Sequence, residues 1–118
     1  MNSKNSTRLL IAAFGLTLAI YACSKSKTTT QPPGGNTKTI NVSGMIFPAT
    51  TTVAKGTTVI WHNADAFAHT VTSDDGTTFS SGTVAANASF TYVANTAGTF
   101  GYHCNIHPGM TGSLVVTP

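Results

Sequence analysis

Charged side chains make up only 8% of this 118-residue chain. The acids are Asp65, Asp74 and Asp75 alone. Of the six basic residues, Lys4, Arg8, Lys25 and Lys27 crowd the N-terminus, leaving Lys38 and Lys55 for the rest. The formal charge of +3 therefore belongs to the N-terminal segment, and the remainder is near neutral. A basic stripe interleaved with aromatics is missing, which excludes nucleic-acid binding. Long apolar runs are missing too: residues 9–22, apolar apart from Thr17, fall short of the roughly 20 residues a spanning helix needs. No proton donor, nucleophile or substrate pocket is evident, so the chain is not expected to be an enzyme. Cysteine is limited to Cys23 and Cys104.

What is present is Thr, Gly, Ala and Val, a composition that suits strands better than helices. Residues 1–22 have the plan of a targeting signal, with Lys4 and Arg8 ahead of the apolar run. The run ends Ala19-Ile20-Tyr21-Ala22-Cys23, which resembles a bacterial lipoprotein signal. That resemblance implies cleavage before Cys23, lipidation of Cys23, and a periplasmic or cell-envelope location on a membrane anchor. The alternative is an ordinary secretory signal with Cys23 a bystander. Residues 24–38 contain no apolar residue to bury and are expected to form a disordered tether, with a root-mean-square reach of roughly 20 Å. A Cys23–Cys104 disulfide is the competing use of the two thiols. It would tie that tether to a core strand and consume the domain's sole thiol.

From Thr39 to Pro118 the pattern is all β. Thr39–Val42, Thr51–Ala54, Thr57–Asn63, Thr70–Thr72, Ser89–Val93, Thr99–Cys104 and Ser113–Thr117 read as strands, and Met45–Pro48 as a short apolar run closed by proline. Residues 77–86 are ambiguous. Seven or eight short strands at regular spacing predict a sandwich, and these 80 residues suffice for one core. Alternation puts Phe100, Tyr102 and Cys104 on one face of their strand, which carries Cys104 to the inner end of the sandwich and turns His103 outward. Trp61, Phe90, Phe100 and Tyr102 are expected in the core.

Cys104, His107 and Met110 follow one another at a spacing of three, between two predicted strands. They offer a thiolate, an imidazole and a thioether. Soft sulfur with imidazole favours copper, and a weak Met beside a two-His, one-Cys set is the pattern of an electron-transfer copper site. The second imidazole is expected from His69, at the head of a strand-like run.

Two blocks extend this into a family resemblance. Gly56-Thr57-Thr58-Val59-Ile60-Trp61-His62-Asn63 through to His69, and Phe100-Gly101-Tyr102-His103-Cys104-Asn105-Ile106-His107-Pro108-Gly109-Met110, resemble the two ligand-bearing segments of cupredoxins of the plastocyanin, amicyanin and pseudoazurin group. The resemblance covers residues 39–118. It implies a Greek-key β-sandwich and one type 1 copper ion, held by His69, Cys104 and His107 in the plane and Met110 on the axis. Thr70 stands where many relatives carry Asn, and its hydroxyl is expected to donate a hydrogen bond that steadies the Cys loop. Ile106 stands where amicyanin and plastocyanin carry Pro. Its retained N–H is expected to donate to the Cys104 sulfur and raise the potential.

The implied function is one-electron transfer between redox proteins such as a cytochrome, a dehydrogenase or an oxidase. Phe67, Ala68, Pro108 and Gly109 are expected to form an uncharged docking rim around His107, on a monomer. His103 is an outward-facing candidate for a second electron exit. Other readings are a copper-delivery lipoprotein without redox turnover and a metal-free interaction domain. A binuclear purple site would need a second loop Cys, which residues 105–109 lack.

Overall fold

The computed structural model describes residues 35–118. The expected signal, Cys23 and nearly all of the tether lie outside them. Seven strands are present: β1 (Thr37–Val42), β2 (Thr51–Ala54), β3 (Thr58–Asn63), β4 (Thr72–Ser73), β5 (Ser89–Val93), β6 (Gly98–His103) and β7 (Thr111–Thr117). They form two sheets, ordered β1-β3-β5 and β2-β7-β6-β4. The β1–β3 and β2–β7 pairs are parallel and the other three antiparallel. This is the expected all-β sandwich. β1 starts at Thr37, so Thr37 and Lys38 belong to the sheet and not to the tether.

Alternation decides what each strand buries. Along β3, Val59, Trp61 and Asn63 point inward while Thr58, Ile60 and His62 are half-exposed. Trp61 is fully buried and packs edge-on against Tyr102 of β6, with ring centroids 5.6 Å apart. Phe79 and Phe90 lie against its other sides at 5.5 and 5.7 Å. Ile40, Val42, Val53, Leu114 and Val116 complete the layer between the sheets. Two rigid strand ends, Asn63 and His103, thereby reach the same end of the sandwich.

Three local readings change. The Thr70–Thr72 run is displaced: the strand is Thr72–Ser73, because the Thr70 amide donates to Cys104 Sγ in the loop that follows β6 and the Val71 amide donates to the Ser81 hydroxyl. Residues 77–86 form no strand; Ser80 and Val84 make single bridges to Thr72 and His69. Met45 and Ile46 sit in a tight turn closed by a Ser43–Ile46 bridge, with Met45 at a left-handed φ of 59°.

A Cβ at Gly112 would lie 2.6 Å from Tyr102 Cζ, 2.7 Å from its hydroxyl oxygen and 3.0 Å from the Pro48 carbonyl. Tyr102 is locked among Trp61, Phe47 and Phe79 and has nowhere to retreat. Gly112→Ala is therefore expected to cost about 1–3 kcal/mol of stability, read from urea denaturation. Unchanged stability would show that β7 moves away from Tyr102 at no cost.

Candidate metal centre

Asn63, buried by the parity of β3, organises the first loop. Its side-chain N–H groups reach the carbonyls of Phe67 (2.7 Å), Val84 (3.1 Å) and Ala85 (3.1 Å), and its oxygen accepts the Asp65 amide (3.0 Å). Beyond it, the main chain of His69 pairs with Val84 in both directions, at 3.0 and 2.7 Å. The His69 ring is therefore held from both sides and is 1% exposed.

The second loop leaves β6 after His103. The Cys104 N–H donates to the Met110 carbonyl (3.0 Å) and the Met110 N–H donates to the His107 carbonyl (3.2 Å). Gly109, at φ 88°, supplies the left-handed residue this closure needs. The two loops are tied by Thr70. Its N–H donates to Cys104 Sγ at 3.3 Å, and its hydroxyl accepts the Asn105 N–H at 2.7 Å. The Asn105 side chain donates to the Thr72 hydroxyl and accepts from His103 Nε2. The other ring nitrogen of His103 meets Asp74 at 2.6 Å. With an acceptor at each nitrogen, His103 is held above its ordinary pKa, first by Asp74.

These ties bring three donor atoms together. His69 Nδ1 and His107 Nδ1 are 3.1 Å apart, and Cys104 Sγ lies 3.9 Å from the first and 3.7 Å from the second. His69, Cys104 and His107 form the metal-capable cluster among the described residues. A metal with bonds of about 2.0 Å to nitrogen and about 2.3 Å to sulfur, in a trigonal plane, sets its donors roughly 3.5–3.7 Å apart. The two N–S edges, 3.9 and 3.7 Å, are close to that size and the N–N edge, 3.1 Å, is somewhat shorter. Burial pushes the Cys104 thiol up, but the amides of Thr70, His107 and Ile106 and the His107 ring outweigh it and lower its pKa to about 6. Cys104 is a free thiol and buried.

Asp65 sets the proton on the far side of His69. His69 Nε2 lies 2.9 Å from Asp65 Oδ2. Oδ1 of the same carboxylate accepts the Gly44 N–H (2.6 Å), and Oδ2 also accepts the Met45 N–H (2.9 Å). The Met45 amide, opposed by burial and then aided by the Gly44 amide and His69, holds the Asp65 carboxyl below the usual range. An ionised carboxylate only accepts, so Nε2 carries the hydrogen and Nδ1 is left as a bare lone pair. Two imidazole nitrogens and an acidified thiol facing one another make a cation site by their chemistry, and the donor set suits copper.

A family model described as a cupredoxin-like domain matches residues 10–116. The chain belongs to the cupredoxin-like family. Among solved structures, this cupredoxin is similar to the oxidised state of a proline-to-alanine variant of amicyanin. The two share 25% identity over 70% of this chain and 83% of that one, with a TM-score of 0.64. It is similar in fold to the Cu(I) form of a methionine-to-alanine variant of amicyanin (24% identity; 71% and 85% covered; TM-score 0.64). It is likewise similar in fold to a purple cupredoxin from Nitrosopumilus maritimus (24% identity; 68% and 99% covered; TM-score 0.61). Comparison with curated proteins finds no match.

Set against this geometry, some expectations change. The Thr70 hydroxyl accepts where it was expected to donate, and the Thr70 amide is the donor to the thiol. The Ile106 amide is among the backbone groups that lower the thiol pKa, after those of Thr70 and His107, and the Thr70 amide, which was not expected there, is the donor at 3.3 Å. Met110 is buried beside Cys104, to which its carbonyl is bonded. Phe67 is 63% exposed, Pro108 and Gly109 are exposed, and Ala68 is half-buried. Met45, Ile46 and Ile106 add exposed apolar surface that the sequence reading missed. Asp65 was missed as well. It lies four residues before His69 in a loop, where no fixed period signals proximity.

Two outcomes are expected. In the metal-free protein the ultraviolet absorption of the thiolate rises with a midpoint near pH 6; a midpoint near the ordinary value of about 8.5 would contradict the donor arrangement. Because the folded pKa is depressed, the associated stability is present above the ordinary thiol range and is lost as pH falls through 6. Asp65→Ala is expected to weaken copper binding about 10–100-fold in a competition titration, as loss of an imidazole's carboxylate partner does elsewhere.

Proposed function

We propose that this cupredoxin carries single electrons between redox proteins in the periplasm or cell envelope. The triangle of His69 Nδ1, His107 Nδ1 and Cys104 Sγ carries the reading. Copper bound there would supply a one-electron couple. His69, Cys104 and His107 would hold the ion, and the buried Met110 would offer it a weaker thioether. The Cys104 thiolate, relieved of charge by the Thr70 amide, provides a polarisable path for the electron. The sandwich holds the donors so that little moves when the charge changes. No catalysis of its own is assigned to the chain.

His107 is half-exposed where His69 is buried, so electrons enter and leave at His107. Phe67, Ala68, Pro108 and Gly109, with Ile106, give its surroundings an uncharged apolar character. That suits brief docking to a cytochrome, dehydrogenase or oxidase, since small interfaces release quickly. Sequence alone supports the remaining steps: export through residues 1–22, a lipid anchor on Cys23 and a tether that lets a monomer turn toward partners. No helix among the described residues is long and apolar enough to cross a membrane.

Addition of Cu(II) tests the proposal. An intense visible absorption, a reversible one-electron couple and loss of both in Cys104→Ser are expected. Tight Cu(I) binding without a reversible couple would make the chain a copper-delivery protein instead. Absence of binding would leave a metal-free interaction domain.

A further inference from the structure

β1 and β3 run parallel and in step, with Thr37 beside Thr58 at one end and Val42 beside Asn63 at the other. The metal donors stand beyond the Asn63 end, so the chain enters the domain at the opposite one. There a Cβ on Gly35 would lie 3.4 Å from the Gly56 carbonyl. The Thr58 N–H donates to the Asn36 carbonyl, the Lys55 N–H to the Thr117 carbonyl and the Gly56 N–H to the Ala94 carbonyl, each at 2.8 Å. Residues 35–38, 54–57, 94–98 and 117–118 thus make up the entry end.

Charge is divided between the two ends. Lys38 and Lys55, the domain's only Lys or Arg side chains, are both at the entry end and exposed. Among the described residues, neither is in an ion pair. No acidic side chain lies in those four stretches. Asp65 is at the metal end, bonded to His69. Asp74 and Asp75 follow β4: the Asp74 N–H meets the Gly101 carbonyl, within β6, and Asp75 accepts from Ser73, Thr77 and Thr78. Residues 24–34, which lead into the entry end, carry Lys25 and Lys27 and no acid.

We propose that the entry end is a docking surface for anionic lipid headgroups, so that the domain stands on a membrane with Lys38 and Lys55 against the lipid and His107 turned away from it. The proposal deepens the reading of Cys23 as an anchor and rests on it. Two independent features point the same way: the place where the chain joins the domain, and the sign of the charge found there. A lysine close to an anionic surface strengthens attachment by a factor of about five. The six residues of β6 separate the two ends by roughly 17 Å, at about 3.3 Å per residue. Screening in physiological salt has a length of roughly 8 Å, so the surface field that reaches Lys55 is nearly extinguished at Asp65. The field therefore acts on one end only and sets a direction. Held in this way, the metal end is open to partners that approach from solution or project well beyond the headgroups.

Nuclear magnetic resonance of the full, metal-free chain on nanodiscs tests this. The discs contain phosphatidylglycerol and phosphatidylcholine with a trace of headgroup-spin-labelled lipid, and attachment is read separately by co-sedimentation. The Lys55, Gly56 and Asn95 amides are expected to broaden several-fold more than those of Gly44, Phe67 and Ile106. Replacing both lysines (Lys38→Gln with Lys55→Gln) is expected to lower the ratio of oriented to unoriented domain roughly 25-fold and so to remove the contrast. Pure phosphatidylcholine discs are expected to remove it too. A chain that attaches but broadens equally at both ends, or more at the metal end, overturns the proposal and leaves the anchor reading standing. A contrast that survives in the double variant or on uncharged discs also overturns it, because the tether alone would then set the direction. A chain that does not attach sinks both.

Discussion

Three electron-rich atoms meet within 3.1–3.9 Å of one another at one end of the sandwich, and the loops around them are arranged to keep them there. Two imidazole nitrogens and a thiol do not gather so closely by themselves. The structure imposes the arrangement from outside. Asp65 fixes the hydrogen on the far nitrogen of His69, the Thr70 amide draws charge off the sulfur, and the Cys104–Met110 and Met110–His107 main-chain bonds close the second loop. The donor atoms are therefore positioned by folding itself.

The sheets explain why so short a chain can do this. Strand parity puts Asn63 inside at the end of β3 and Cys104 inside one residue past the end of β6, directly beyond Trp61 and Tyr102, whose edge-on contact joins the sheets. The same ring pair that anchors the core thus sets the height of both ligand loops. Asn63 then converts a strand end into a loop scaffold with one side chain. A polar residue so deeply buried is tolerated because its hydrogen bonds are satisfied.

Much of this was legible in the sequence, and the reasons are specific. Alternation in β3 and β6 located Trp61, Tyr102 and Cys104, because period-two patterning survives in any strand with one buried face. The three-residue spacing of Cys104, His107 and Met110 pointed to a sulfur–nitrogen loop, because the chemistry of those side chains is distinctive. What failed was loop geometry. Met45 and Ile46 read as an apolar strand end, yet they lie in a left-handed turn that depends on a carboxylate about twenty residues away. Asp65 itself was silent for the same reason. Thr70 was placed correctly beside the Cys loop, but which of its groups would face the sulfur required coordinates.

The central claim concerns a geometry, so X-ray absorption at the copper edge of the loaded protein tests it most directly. Two nitrogen scatterers near 2.0 Å and a single short sulfur scatterer near 2.3 Å are the expected first shell (both about, from typical metal–ligand distances). A shell of nitrogen and oxygen alone, with the Cys104 sulfur absent, would contradict the account.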